Sequence, residues 1–69
     1  MDFFWFKGTA PTAAAFTDCT AKPAGSVGEG VTYTHTFTEP VGTTVNFWLV
    51  VRDPGCLTST YPISVVVPS

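Results

Sequence analysis

The chain has little charge of either sign. Charged residues make up 12% of its 69 residues, and three basic and five acidic side chains give a formal net charge of -2. An ordinary soluble domain has about twice this charged share, roughly 25%. The basic residues Lys7, Lys22 and Arg52 are scattered along the sequence. Because nucleic acids and anionic lipid surfaces are bound by clustered basic side chains, we predict no nucleic-acid partner.

Long hydrophobic runs are also missing. The longest uninterrupted apolar run, Phe47 to Val51, has five residues, whereas a membrane-spanning helix needs roughly 18. The opening, MDFFWFKG, has Asp2 where a signal peptide carries basic residues, and Lys7 ends its apolar run too early. We therefore predict no membrane insertion. If the chain is complete, we expect synthesis in the cytoplasm without export by a signal peptide, an expectation that would lapse for an excised fragment.

Side chains that carry catalysis or bind metals are few. His35 is the only histidine, and the five acidic residues form no close pairs. His35 alternates with Tyr33 and Phe37, which favours a structural histidine on the apolar side of a strand. The competing interpretation is a metal site of Cys19, His35 and Cys56, which has suitable ligand types but lacks the close Cys/His/Met spacing of copper sites. The sequence predicts no enzyme, no metal and no cofactor.

The two cysteines, Cys19 and Cys56, allow one possible disulfide across 37 positions. Such a bridge would stabilise a small domain by about 3–4 kcal/mol by constraining the unfolded chain. Two buried thiols are the alternative, and thiols are usual for proteins of the cytoplasm. The sequence leaves both interpretations open, because pairing requires Cα atoms within about 7 Å.

The residues that are plentiful favour β-structure. Threonine and valine are frequent, while leucine, lysine and glutamate are scarce. Alternation over residues 31–37, and again over 44–52, predicts two half-buried strands. A further segment, 57–67, contains Pro62, which predicts an edge strand or a strand that begins after the proline. Shorter strand candidates are FFWF and PTAAAF in the first part of the chain.

Turn signals separate these segments. The stretch AKPAGSVGEG at 21–30 is typical of a loop, and DPGC at 53–56 of a tight turn in which Gly55 takes a position that can require positive φ. About five short strands joined by turns every 8–12 residues are typical of a small antiparallel sandwich or open barrel. The sequence therefore predicts one all-β domain.

From Val31 onward the sequence resembles the second half of a PKD-type immunoglobulin-like domain. The matching stretch, about half of the chain, is THTFTEPVGTTVNFWLVVRDPGCLTSTYPISVVV. The resemblance implies a small antiparallel Ig-like (PKD-like) β-sandwich, which we assign to 11–69. The aromatic run at the start predicts an N-terminal arm or first strand at 1–10. The resemblance also implies a non-catalytic surface or adhesion role, and it carries over no site residues.

The aromatic residues at 3–6 must be covered by something. Because neighbours in a strand point to opposite faces, we predict that Phe4 and Phe6 face the domain's own core while Phe3 and Trp5 lie at an intermolecular contact. Trp48 is a further interface candidate, since tryptophan is a preferred residue at the centre of protein interfaces.

These expectations together favour a structural accessory protein that attaches to a large assembly. The leading hypothesis is a decoration protein on the capsid of a tailed phage, made in the host cytoplasm and located on the virion surface. Its partner would be the major capsid protein or further copies of itself. The alternative is a secreted or cell-surface PKD-like binding or adhesion module, or a fibre subunit, that binds carbohydrate or protein through exposed Trp and Tyr side chains.

Overall fold

The computed structural model describes residues 1–69, except for the side chain of Ala13. Four strands form one antiparallel sheet in the order β2-β1-β3-β4. They are β1 (Asp2–Lys7), β2 (Gly28–Glu29), β3 (Thr44–Arg52) and β4 (Thr58–Val66), and a short 3₁₀ helix spans Ala13–Phe16. The prediction of an all-β fold is confirmed at the level of this single sheet. Nothing helical in the described residues is long and apolar enough to cross a membrane.

The aromatic N-terminal segment is an inner strand of this sheet. β1 pairs with β3 along its whole length, with Phe4 opposite Val50 and Phe6 opposite Trp48. On its other side it pairs with the short β2. Phe4 and Phe6 are 3% and 5% exposed, which confirms that they face the protein's own core. Phe4 and Phe6 lie on the same face because alternate residues of a strand do so, and they share that face with the residues paired to them across the sheet.

The side chains of the sheet divide by residue number. In β1, β3 and β4, odd-numbered residues point to one face, here called the odd face, and even-numbered residues point to the even face. β3 is buried on the odd face in its first half, at Val45 and Phe47, and on the even face in its second half, at Val50 and Arg52. Each face therefore carries its own small core.

The even-face core is closed by the loop that follows β1. Its centre is a cluster of three buried side chains, Phe4, Phe6 and Val50. Phe16 packs edge-on against Phe6 with ring centroids 6.3 Å apart, and the indole N–H of Trp48 donates to the carbonyl of Gly8 at 3.0 Å. The prediction of a strand in PTAAAF is wrong, because Ala13–Phe16 forms a helical turn that brings Phe16 onto the sheet.

Arg52 anchors the loop after the 3₁₀ helix to the even face. Its side chain is 5% exposed, and its guanidinium lies over the ring of Phe4, 4.9 Å from the centroid. Nε and Nη2 donate to the Asp2 carboxylate at 3.2 and 3.0 Å. Nη1 donates to the carbonyls of Asp18 and Ala21 at 3.2 and 2.9 Å. These partners satisfy a charge that would be costly to bury alone.

A disulfide joins the same loop to the turn between β3 and β4. Cys19 and Cys56 are bonded, with Cα atoms 5.4 Å apart. In the turn, the N–H of Cys56 donates to the carbonyl of Asp53 at 3.0 Å. Cys56 has a φ of 69°, so the left-handed position falls on Cys56 and not on Gly55, where the sequence suggested it. Hairpins with three-residue loops commonly end on such a residue.

Residues 31–37, predicted as a strand, belong to no strand of the structure. Their side chains alternate as expected, since Tyr33, His35 and Phe37 are half-buried and the threonines between them are exposed. Tyr33 and Phe37 pack on the odd-face core formed by Val45, Phe47 and Val67. We therefore call residues 31–37 the covering segment.

Candidate functional site

Four apolar side chains at one end of the odd face are only partly covered. Phe3 lies opposite Val51, and Leu49 lies opposite Tyr61. We call Phe3, Leu49, Val51 and Tyr61 the open patch. None of them belongs to a core cluster of the described residues, and Tyr61 is 52% exposed. Because strand neighbours share this face, the register gathers four apolar side chains from three strands into one surface.

The covering segment explains why only this end of the odd face stays open. Val45 and Phe47 are 6% and 5% exposed, because side chains of the covering segment pack on them. Leu49 and Val51, on the same face of the same strand, have intermediate exposure. The covering segment thus divides the odd face into a closed half and an open half.

An aromatic groove of about 300 Å³ lies between the covering segment and the sheet. Trp5 stacks on Tyr33 with ring centroids 5.7 Å apart, and its indole N–H donates to the carbonyl of Gly30 at 2.9 Å. Tyr33 and His35 pack edge-on against Phe47, with centroid distances of 5.9 and 5.2 Å. Trp5 therefore lies at the border between this groove and the open patch, because its partner across the sheet, Leu49, belongs to the open patch.

An ion pair fastens the far end of the covering segment to β1. Nζ of Lys7 lies 2.9 Å from the carboxylate of Glu39, and this hydrogen bond is the largest reason why the pKa of Glu39 falls from 4.5 to about 2. Nε2 of His35 lies 3.5 Å from the same carboxylate without forming a hydrogen bond among the described residues. Nδ1 of His35 lies 3.4 Å from the Tyr33 hydroxyl. His35 is thus packed among rings beside a carboxylate that Lys7 already binds.

The structure places the three predicted interface residues on two different faces. Phe3 and Trp5 lie on the odd face, whereas Trp48 lies on the even face and packs on the core that contains Phe6. The other members of the open patch were missed, Leu49, Val51 and Tyr61. Their alternation was visible in the sequence, but the register that brings three strands together was not.

The three residues considered for a metal site are not brought together. Cys19 and Cys56 are bonded to each other, and His35 lies among the rings of the odd face. In the part of the chain that the structure describes, no group of three or more His, Cys, Asp or Glu side chains is placed to hold a metal ion.

A second groove, of about 390 Å³, lies beside Arg52. Its charged lining consists of two acidic and two basic side chains, Asp2, Glu29, Lys22 and Arg52. In the adjoining loop, Asp18 accepts hydrogen bonds from the backbone N–H and the hydroxyl of Thr20 at 2.9 and 2.7 Å, and these bonds lower its pKa. Because the acidic and basic side chains balance, the lining favours neither an anionic nor a cationic ligand, and we assign no function to this groove.

The chain was compared with family models, curated proteins and solved structures, and none of them matches.

Proposed function

We propose that this protein is a non-catalytic structural accessory protein that attaches to a large protein assembly through the odd face of its sheet. The observation that carries the proposal is the open patch, where apolar side chains of three strands meet and are only partly covered by the rest of the chain. Grouped, exposed apolar side chains are a feature of protein-binding surfaces. The buried cluster of Phe4, Phe6 and Val50 lies on the opposite side of the sheet from this patch.

The chemistry of the odd face favours a protein as the partner. The open patch and the covering segment contain no Asp, Glu, Lys or Arg, whereas nucleic acids and anionic lipids are recognised by clustered basic residues. Tyr61 combines a large apolar ring with a polar end, as is common at interface hot spots. Phe3 and Trp5 remain our predicted contact residues at the N-terminal strand.

Within this class, the protein is proposed to decorate the capsid of a tailed phage or a similar large assembly, at the virion surface. Its partner is then the major capsid protein or further copies of itself. A small chain with one docking face suits a repeated lattice, because each copy needs only one contact surface. The bond between Cys19 and Cys56 is compatible with the oxidising exterior of a virion.

The proposal also includes the type of β-fold to which the sheet belongs. We infer an immunoglobulin-like sandwich of PKD type whose second layer is represented in the free chain by the covering segment alone. The support for this is that Tyr33 and Phe37 lie over the sheet as alternate side chains of a second sheet would.

A secreted or cell-surface adhesion module is the second candidate. The disulfide favours it, because disulfides persist in oxidising compartments. The aromatic groove offers a concave apolar surface of the kind that small ligands need, with Trp5, Tyr33 and Phe37 in its lining. Saturation-transfer NMR with oligosaccharides tests this candidate, which requires transfer to the sugar that is lost in Tyr33→Leu.

A matched pair of variants on β4 tests the proposed attachment. Tyr61→Lys puts a charge into the open patch, and Thr60→Lys puts the same charge on the exposed even face of the same strand. Each protein is produced at native levels in the source cells, and the lysate is sedimented through a density gradient. We expect wild-type and Thr60→Lys protein to sediment with large particles and Tyr61→Lys protein to remain free. Equal distributions of the two variants, or a wild-type chain that stays free, would contradict the proposal.

A further inference from the structure

The backbone of the covering segment has no hydrogen-bond partner among the described residues. The bonds on either side of it end at Gly30, whose N–H donates to the carbonyl of Phe3 at 2.9 Å, and at Thr38, whose N–H donates to the Glu39 side chain at 3.1 Å. Between these points, no backbone N–H or C=O of residues 31–37 is bonded to a described protein group. A row of unpaired groups on an alternating segment is a template for pairing with another strand.

The edges of the sheet itself are less suited to adding a strand. At one end of the β3–β4 pair, the N–H of Asp53 donates to the carbonyl of Leu57. At the other end, the N–H of Val67 donates to the carbonyl of Thr43. The backbone N–H and C=O groups of odd-numbered β4 residues therefore bond to β3. Those of even-numbered residues point away from β3, along the outer edge of the sheet. Pro62 is even-numbered and removes a donor from the middle of this outer edge. The opposite edge strand, β2, has only two residues.

The covering segment runs roughly along β1 and leaves the open patch to one side. At its start, Gly30 is bonded to Phe3, and further along Tyr33 stacks on Trp5. The other members of the open patch belong to β3 and β4. A strand paired with the covering segment would lie about 4.8 Å to its side and about 10 Å above the sheet. Because Phe3 and Trp5 pair with Val51 and Leu49 of β3, the part of such a strand beside the start of the covering segment lies over the open patch.

We propose that the covering segment and the open patch together receive one β-strand of a partner protein. The strand pairs with the backbone of residues 31–37 and lays its alternate side chains on the open patch. This inference rests on the proposed function and states what the partner contributes. The partner strand is apolar at alternate positions and uncharged on that face, because neither surface offers a charged side chain to compensate a buried charge.

The size of the open patch favours a strand over a second copy of this chain. Its side chains expose little apolar surface, because Phe3, Leu49 and Val51 are half-buried and Tyr61 is 52% exposed. A stable dimer buries about 800 Å² on each partner. A single strand needs less apolar area, since backbone hydrogen bonds supply part of its affinity.

Two synthetic peptides test the inference on the full chain. The first is acetylated and amidated Lys-Val-Thr-Val-Thr-Val-Thr-Val-Lys, whose lysines lie on the threonine face, and the second has the same side chains with N-methyl groups on every valine and threonine. The readout is hydrogen exchange by mass spectrometry, with binding measured in parallel by calorimetry. We expect the first peptide to slow exchange of the amides at 31–37 by about tenfold or more, and the methylated peptide not to bind. Tyr61→Lys should weaken binding about tenfold, and Thr60→Lys should leave it unchanged.

Several results would overturn the inference, and each is distinguishable from failure of the proposed function. Equal binding of both peptides would show apolar docking without strand pairing. Protection confined to β4, or no binding at millimolar peptide, would place the partner elsewhere. Concentration-dependent protection of residues 31–37 in the protein alone would identify a second copy as the occupant. In all these cases the gradient experiment can still succeed, whereas a wild-type chain that binds no particle contradicts the function itself.

Discussion

The ring of Tyr33 lies directly on the backbone of Gly28. A β-carbon added at Gly28 would lie 2.6 Å from Cδ1 of the tyrosine, much closer than carbon atoms approach in a packed interior. The same ring stacks on Trp5. The absence of a side chain at position 28 therefore lets the covering segment lie close to both β1 and β2.

We predict that Gly28→Ala lowers the free energy of unfolding by about 1–3 kcal/mol, because the new methyl group displaces the ring. In a Tyr33→Ala background the same change should cost less, since the ring is gone. Urea denaturation of both single variants and the double variant measures the coupling. Additive effects of the two substitutions would contradict the packing described here.

Arg52 supports a second prediction, about the even face. Arg52→Lys should lower the free energy of unfolding by about 2–3 kcal/mol, because lysine cannot reproduce the fork that reaches the Asp18 and Ala21 carbonyls. Asp2→Asn should cost less than about 1 kcal/mol, since the Asp2 side chain is 57% exposed. Urea denaturation measures the free energy of unfolding of both variants. If Asp2→Asn lowered it more than Arg52→Lys does, the hydrogen bonds from Arg52 to the Asp18 and Ala21 carbonyls would contribute little.

The disulfide supports a third prediction. Replacing both Cys19 and Cys56 with serine should lower the free energy of unfolding by about 3–4 kcal/mol, because the unfolded chain is no longer constrained. Intact mass after alkylation without reductant checks the bridge in the wild-type protein, which should take up no label. Two labelled thiols in the native protein would mean that the bridge is absent.

Glu39 should make stability depend on pH in the acid range. Its pKa falls from 4.5 to about 2, mainly through the hydrogen bond from Lys7. Between these values the unfolded chain binds a proton that the folded chain does not, so the stabilisation is complete above pH 4.5 and is lost as the pH falls towards about 2. Glu39→Gln should flatten this slope, as measured by denaturant unfolding over that range. NMR titration of the Glu39 carboxyl in Lys7→Met should show its pKa returning upward, and an unchanged value there would show that Lys7 is not the cause.

Two features of individual strands could be predicted from the sequence. Alternation in β1 predicted that Phe4 and Phe6 are buried. Pro62 predicted that the last strand lies at an edge or begins after the proline, and the structure shows the first of these, since β4 runs through Pro62 at the edge of the sheet. Both inferences need only the two-residue period of a strand and the missing N–H of proline.

What could not be predicted depends on contacts between distant parts of the chain. The alternation of residues 31–37 shows which side is covered and says nothing about whether the backbone is paired. The pairing of Asp2 with Arg52 across 50 positions is fixed by the register of β1 on β3, which composition does not encode. For the same reason, the open patch could not be assembled from the alternation of its separate strands.

The central claim is that the protein docks through its odd face, and electron cryo-microscopy of the native assembly tests it most directly. We expect density for this chain on a large particle, with Phe3, Leu49, Val51 and Tyr61 against the partner and the exposed threonines of the even face in solvent. We also expect a strand of the partner beside residues 31–37. A chain seated by its even face, or an odd face left open to solvent in the assembly, would contradict this account.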